Sequence, residues 1–141
     1  IQFTFPGVPC LYYGDEVGVQ GFEDPYNRRT YPWGNEDQDL LAWYRLITKL
    51  RADYPVFQNG SWKPYEASDD LFVFERRNEE SLCFCLFNRN SRAVHLFKHP
   101  DFSGCQGLDL ISGEAIALQP IVLLPLSYAI VMVTPDTCQI I

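Results

Sequence analysis

One short apolar run, Pro9–Tyr13, limits the folds open to this chain more than any other feature. It is bounded by Gly7 and Gly14. Such runs suit a strand buried on both faces, as in a parallel sheet. A strand of that kind needs neighbours to bond its backbone N–H and C=O groups, and a single strand–helix unit cannot supply them. The chain also opens without Met, inside what reads as the end of an element. The expectation is therefore that something precedes Ile1.

A polar, Gly-containing stretch follows, from Asp15 to Asn35, with no regular pattern. Loops of that length within a compact domain are usually functional or mobile. Helical grammar then begins. Asn35, Glu36, Asp37 and Asp39 place caps and negative charge where orphan N–H groups and the helix dipole favour them. Leu40, Trp43, Tyr44, Ile47 and Leu50 recur at helical spacing and form one apolar stripe. Lys49 and Arg51 suit the C-terminal end, and Pro55 stops the helix.

From about Asn59 the pattern changes to short strands separated by turns. The strands predicted are Ser61–Glu66, Leu71–Arg77, Leu82–Asn88, Ala93–Phe97, Gly107–Leu110, Glu114–Leu118, Ile121–Leu124 and Tyr128–Thr134. Turn residues such as Ser68-Asp69-Asp70, Asn78-Glu79-Glu80, Asn90-Ser91 and Ser112-Gly113 punctuate them. Many short strands with frequent turns predict an antiparallel β-sandwich. The fold class read from the chain is mainly β, a sandwich preceded by one βα unit. Its parts are residues 1–57 and 58–141.

Composition removes several function classes. The 141 residues carry a formal net charge of -7, and no basic patch is visible to neutralise phosphates. Nucleic acid is not an expected partner. An acidic surface also fits an anionic membrane poorly, and the longest apolar run, Ile121–Leu126, is short and broken by Pro125. The five cysteines, Cys10, Cys83, Cys85, Cys105 and Cys138, form no C-x-x-C pair or His/Cys ligand cluster, so no zinc site is expected. They read as reduced, buried thiols of a cytoplasmic protein. His95 and His99 have no telling carboxylate or serine spacing and read as surface residues. Phe57, Trp62 and Tyr65 suit either a sugar platform or the core, with the core favoured.

The stretch Phe5-Pro6-Gly7-Val8-Pro9-Cys10-Leu11-Tyr12-Tyr13-Gly14-Asp15-Glu16 resembles the P-G-x-P-x-x-Y-Y-G-x-E signature at the last barrel strand of family 13 glycoside hydrolases, the α-amylase family. Gly21 and the run Asp24-Pro25-Tyr26-Asn27-Arg28-Arg29 follow, and that D-P-x-x-R-R run is similar to the neopullulanase, cyclomaltodextrinase and maltogenic-amylase branch. Pro32-Trp33, Tyr44-Arg45, Leu50-Arg51 and Phe72-Val73-Phe74-Glu75-Arg76 continue the likeness. It implies the last βα unit of a (β/α)8 barrel followed by a C-terminal sandwich. Active sites of such barrels lie on the loops after the strands. By this resemblance Asp24 and Arg28 bind glucose hydroxyls, and Gly14, Glu16 and Arg29 shape the loop. The alternative is that Asp24 and Arg28 only bridge each other.

The resemblance implies a parent that hydrolyses α-1,4 and α-1,6 glucosidic bonds in maltooligosaccharides, cyclodextrins or pullulan by a retaining mechanism, with no cofactor. Its catalytic carboxylates would follow the fourth, fifth and seventh strands, before Ile1. Adjacent Asp15 and Glu16 point apart and cannot flank one glycosidic oxygen. This chain is therefore expected to hold no catalytic residue and to be inactive alone. A stand-alone glucan-binding or barrel-stabilising module, and a piece of a related glucanotransferase, stay open beside this reading. Unpartnered apolar surface also predicts a homodimer.

Overall fold

The computed structural model describes residues 1–99, 102 and 104–133. The elements are a 3-10 turn at Asp15–Val17, helix α1 at Gln38–Asp53, the one-turn α2 at Val56–Asn59, and eight strands. The strands are β1 Ser61–Ala67, β2 Leu71–Arg77, β3 Leu82–Asn88, β4 His95–Phe97, β5 Gln106–Asp109, β6 Ala115–Ala117, β7 Ile121–Leu123 and β8 Tyr128–Val133. Every predicted strand of the second half is present. β2 and β3 keep their predicted limits, and the others move by one or two residues at an end. Thr134 lies outside the described residues.

Six strands form one sheet in the order β1-β2-β3-β8-β5-β6, and β4 pairs with β7 in a second, two-stranded sheet. All pairings are antiparallel. The larger sheet is covered on both faces. Leu71, Val73, Leu82, Phe84 and Leu86 face the small sheet's Phe97, Ile121 and Leu123 within one buried cluster. On the opposite face Phe74, Cys83, Cys85 and Ile130 pack with Leu50 of α1 and with Val56 and Phe57 of α2. Double coverage explains why β3 reads Leu-Cys-Phe-Cys-Leu-Phe without polar alternation. Phe57 is core, not a sugar platform.

The register of β1 shifts between Pro64 and Glu66. A strand holding Pro is tolerated at a sheet edge, where the missing N–H breaks no ladder. Asn88 at the end of β3 is buried, and its Nδ2 donates to the carbonyls of Ala93 and Leu124 at 2.9 and 2.8 Å.

α1 starts at Gln38, where the Asp37 carboxylate accepts from the N–H of Leu40 at 2.9 Å. Of the predicted stripe only Leu50 is fully buried. Leu40, Trp43, Tyr44 and Ile47 line an apolar cavity of about 340 Å³ shared with Ile1 and Tyr128. Trp43 also meets Tyr128 of β8, with ring centroids 5.4 Å apart.

Three expectations are corrected. Pro9–Tyr13 is not a strand: Val8 is 93% exposed and Leu11, Tyr12 and Tyr13 are exposed. Among the described residues nothing lies beside the run to complete a ladder, so its backbone stays irregular. The thiol reading fails at two cysteines. Cys10 is exposed, and Cys105 is disulfide-bonded, which removes support from a cytoplasmic location. Cys138 lies outside the described residues. His95 and His99 are half-buried; His99 stacks on Phe102 at 4.4 Å, and His95 Nε2 is buried without a hydrogen-bond partner. Trp62, for which core packing was favoured, packs in part against Phe5 and Phe74 at 5.5 and 6.5 Å and stays 38% exposed.

Among the described residues no helix is long and apolar enough to cross a membrane, and no group of three or more His, Cys, Asp or Glu is placed to hold a metal ion.

Candidate functional site in the Asp15–Asn35 loop

Gly14 sets the direction of the loop. Its φ is +91°, in the region that favours glycine, and a Cβ there would lie 2.8 Å from the Cβ of Val19. The Asp15 carboxylate accepts from the Tyr12 N–H at 3.1 Å, and Glu16 Oε2 accepts from the Gly14 N–H at 2.9 Å. These bonds close the 3-10 turn, whose Val17 is buried. The Glu16 carboxylate also lies near the Tyr31 hydroxyl. Loss of water, then the Glu16 and Glu36 carboxylates, push the Tyr31 hydroxyl above the usual phenol range.

The middle of the loop folds back on itself at Gly21. A Cβ at that position would meet the Tyr26 carbonyl and the Asn27 Cα at 2.6 Å. The N–H of Tyr26 donates to Glu23 O, and that of Arg28 donates to Pro25 O, at 2.8 and 3.0 Å. This turn brings Asp24 and Arg28 to one side. Arg28 Nη2 donates to Asp24 Oδ2 at 3.0 Å, and the side chains are 69% and 58% exposed respectively. The Tyr13 hydroxyl donates to Arg29 O at 3.0 Å, so the segment before Gly14 is fastened beside the pair.

The predicted residues thus divide. Asp24 and Arg28 meet as an ion pair open to solvent. Glu16 and Gly14 meet at the loop's entrance. Arg29 instead lines an open cleft of about 370 Å³ with Val17, Val19, Thr30 and Pro32, which Asp24 and Arg28 do not reach. An exposed Asp–Arg pair offers carboxylate acceptors and guanidinium N–H donors side by side, a set that can take adjacent hydroxyls of a sugar from both sides. Exposed rings stand on the same loop: Phe22, Tyr26, and Trp33, which lies 4.5 Å from Tyr31. Motif reading passed over these rings. It also missed the two arginines that hold the Phe3–Gly7 carbonyls, Arg51 and Arg76. An arginine following Phe72-Val73-Phe74-Glu75 in a doubly covered strand is the one signal that could have marked Arg76.

No family model matches the chain. It is 42% identical over 77 residues to an amylopullulanase of Thermoanaerobacter thermohydrosulfuricus, covering 55% of this chain and 5% of that one. It is 30% identical over 122 residues to a cyclomaltodextrinase of Geobacillus thermopakistaniensis, covering 84% and 21%. It is 30% identical over 120 residues to neopullulanase 2 of Thermoactinomyces vulgaris, covering 82% and 20%. The chain therefore spans only about a fifth or less of these relatives. Among solved structures, an Anoxybacillus α-amylase superposes with a TM-score of 0.84 at 25% identity, covering 94% of this chain and 30% of that one. A cyclic α-maltosyl-(1→6)-maltose hydrolase of Arthrobacter globiformis, in complex with cyclic α-maltosyl-(1→6)-maltose, gives 0.70 at 25% identity, covering 93% and 28%. With the loop signature, the sandwich and these likenesses together, the chain is a homologue of the α-amylase-family glycoside hydrolases, of the cyclomaltodextrinase, maltogenic-amylase and neopullulanase kind.

Proposed function

We propose that this chain is the C-terminal part of an α-glucan hydrolase, contributing the final barrel loop and helix (residues 1–57) and the sandwich (residues 58–141). In this reading Asp24 and Arg28 grip a glucose unit on the non-reducing side of the cut bond. The observation that carries it is the solvent-open Asp24–Arg28 pair on a loop anchored by Gly14 and Glu16. Relatives named cyclomaltodextrinase and neopullulanase support maltooligosaccharide, cyclodextrin or pullulan as the substrate class. A retaining reaction needs a nucleophile and an acid flanking one bond. Asp15 and Glu16 are committed to backbone N–H groups of the turn, so neither serves. The chain alone is inactive in this account.

Calorimetric titration with maltohexaose and β-cyclodextrin tests the grip. Saturable binding that is weakened in Asp24→Asn supports it, and binding unchanged by that substitution refutes it. Cleavage of maltohexaose by the purified chain overturns the assignment of the catalytic groups to another part of the enzyme. A sandwich with its own sugar platform is the weaker reading, because Phe57 is buried and Trp62 is partly covered by Phe5 and Phe74. Exposed Val8, Leu11 and Phe22 support self-association, which light scattering across a concentration series would detect.

A further inference from the structure

The segment Phe3–Gly7 lies against the sandwich without joining a sheet, yet four of its five carbonyls accept hydrogen bonds from two guanidinium groups on different elements. Arg76 on β2 is 1% exposed. Its Nη1 donates to Thr4 O at 2.6 Å and to Phe57 O at 3.2 Å, its Nη2 to Gly60 O at 2.9 Å, and its Nε to Ser61 O at 3.2 Å. Arg51 on α1 donates through Nη1 to Phe3 O at 2.8 Å and Phe5 O at 3.2 Å, and through Nη2 to Gly7 O. Four carbonyls within five residues are thus held by two rigid forks. Phe5 seats its ring against Trp62 and Phe74, at 5.5 and 5.6 Å.

Beside this anchored segment Gln2 Nε2 donates to Cys10 O at 2.6 Å, and farther along the chain the Tyr13 hydroxyl donates to Arg29 O at 3.0 Å, next to Arg28. Buried arginine is costly to desolvate, and here no carboxylate bonds it; all four recorded acceptors are backbone carbonyls. A planar fork with five donors can hold several carbonyls at fixed angles, which a lysine ammonium cannot. We propose that Arg76 and Arg51 are positioning residues: they fix the exit of the Phe3–Gly7 segment from the sandwich and thereby the aim of the Asp24–Arg28 pair. The sandwich then governs glucan affinity at a site it does not touch. The inference rests on the sugar-binding reading of Asp24 and Arg28.

The test uses Arg76→Lys and Arg51→Lys, each alone and combined with Asp24→Asn. Maltohexaose affinity and amide exchange of residues 14–31 are measured, with the sandwich's thermal transition as control. Transmission through packed elements predicts affinity weakened by about threefold to tenfold in either lysine variant. No further weakening is expected in the Asp24→Asn background, because the effect acts through the pair. Exchange across residues 14–31 should rise while the sandwich's protection holds. An equal loss of affinity in both backgrounds, or unchanged exchange in the loop, overturns the positioning role. Should Arg76→Lys not fold, Arg51→Lys carries the test, since Arg51 is partly exposed. Should the parent chain bind no maltohexaose, the sugar-binding reading fails, and loop exchange in Arg51→Lys still decides whether the clamp reaches the loop.

Discussion

Asn88 Nδ2 lies 2.8 Å from the carbonyl oxygen of Leu124 and, through the same nitrogen, 2.9 Å from that of Ala93. One side chain at the end of β3 therefore satisfies carbonyls that flank the small sheet. Asn88→Leu keeps the volume but leaves those buried acceptors empty. A loss of about 1–3 kcal/mol per unsatisfied group sets the scale, and partial rescue by water lowers it. Denaturant unfolding should show a lower midpoint with an unchanged slope, since the exposed area on unfolding stays the same. An unchanged midpoint would mean that these carbonyls find other donors.

Gly14 gives a second, local prediction. Gly14→Ala meets two obstacles, the positive φ of +91° and the Val19 side chain at 2.8 Å from the new Cβ. The left-handed penalty for a residue with a Cβ is about 1–2 kcal/mol, and relief requires Val19 to move. The strain falls on the turn that Glu16 closes. Exchange of the Val17 and Val19 amides should accelerate well before the sandwich melts. A variant with native exchange at both amides would remove Gly14 from its loop-shaping role.

The strands of the sandwich were legible because each is a short apolar segment with turn residues on both sides, as at Asn78-Glu79-Glu80 between β2 and β3. α1 was legible from its stripe and from the polar residues at its start, among which Asp37 is the cap and Asp39 lies in the first turn. The Pro9–Tyr13 run was misread because a buried-strand pattern records the surroundings a segment suits, while pairing depends on neighbours that this stretch lacks here. The histidines were misread for a related reason: neither residue type nor spacing says that Phe102 will stack on His99. In the loop, residue types at Asp24 and Arg28 pointed to the pair, whereas the bond from the Tyr13 hydroxyl to Arg29 O joins positions that no spacing rule connects.

Cys83 and Cys85 of β3 predict an alkaline sensitivity. Burial pushes the Cys85 thiol up to about 12, with the Thr4 hydroxyl opposing, and raises Cys83 as well, helped by Cys85. An unfolded thiol ionises near 8.5. The unfolded chain therefore loses these protons first, and the native state binds more protons in the interval. Stability is intact below about pH 8.5 and falls as pH rises from there towards the folded-state value. Cys83→Ala with Cys85→Ala should flatten this decline, at the cost of a lower stability at neutral pH from the lost packing. In the native chain at pH 8, a thiol reagent should label Cys10 quickly and leave Cys83 and Cys85 protected. Rapid labelling of either buried thiol would contradict the core assigned to β3.

The Asp24–Arg28 pair separates stability from binding. Both side chains are more than half exposed, at 58% and 69%, and exposed pairs contribute about 0–1 kcal/mol. Arg28→Ala and Asp24→Asn should therefore leave the thermal transition nearly unmoved. Binding is a different matter if the pair grips a sugar. Removing one partner of a charged hydrogen bond to ligand costs about 1.5–3 kcal/mol, or roughly tenfold to a hundredfold in affinity. Asp24→Asn keeps the shape and one acceptor but removes the charge, so its loss should be the smaller of the two. If the pair merely shapes the loop, the pattern inverts: loop exchange rises in both variants, and affinity follows the exchange rather than the chemistry. Titration of maltohexaose beside amide exchange over residues 21–31 separates these outcomes. Equal affinity in the parent and both variants, with a stable loop, would take the sugar away from this site.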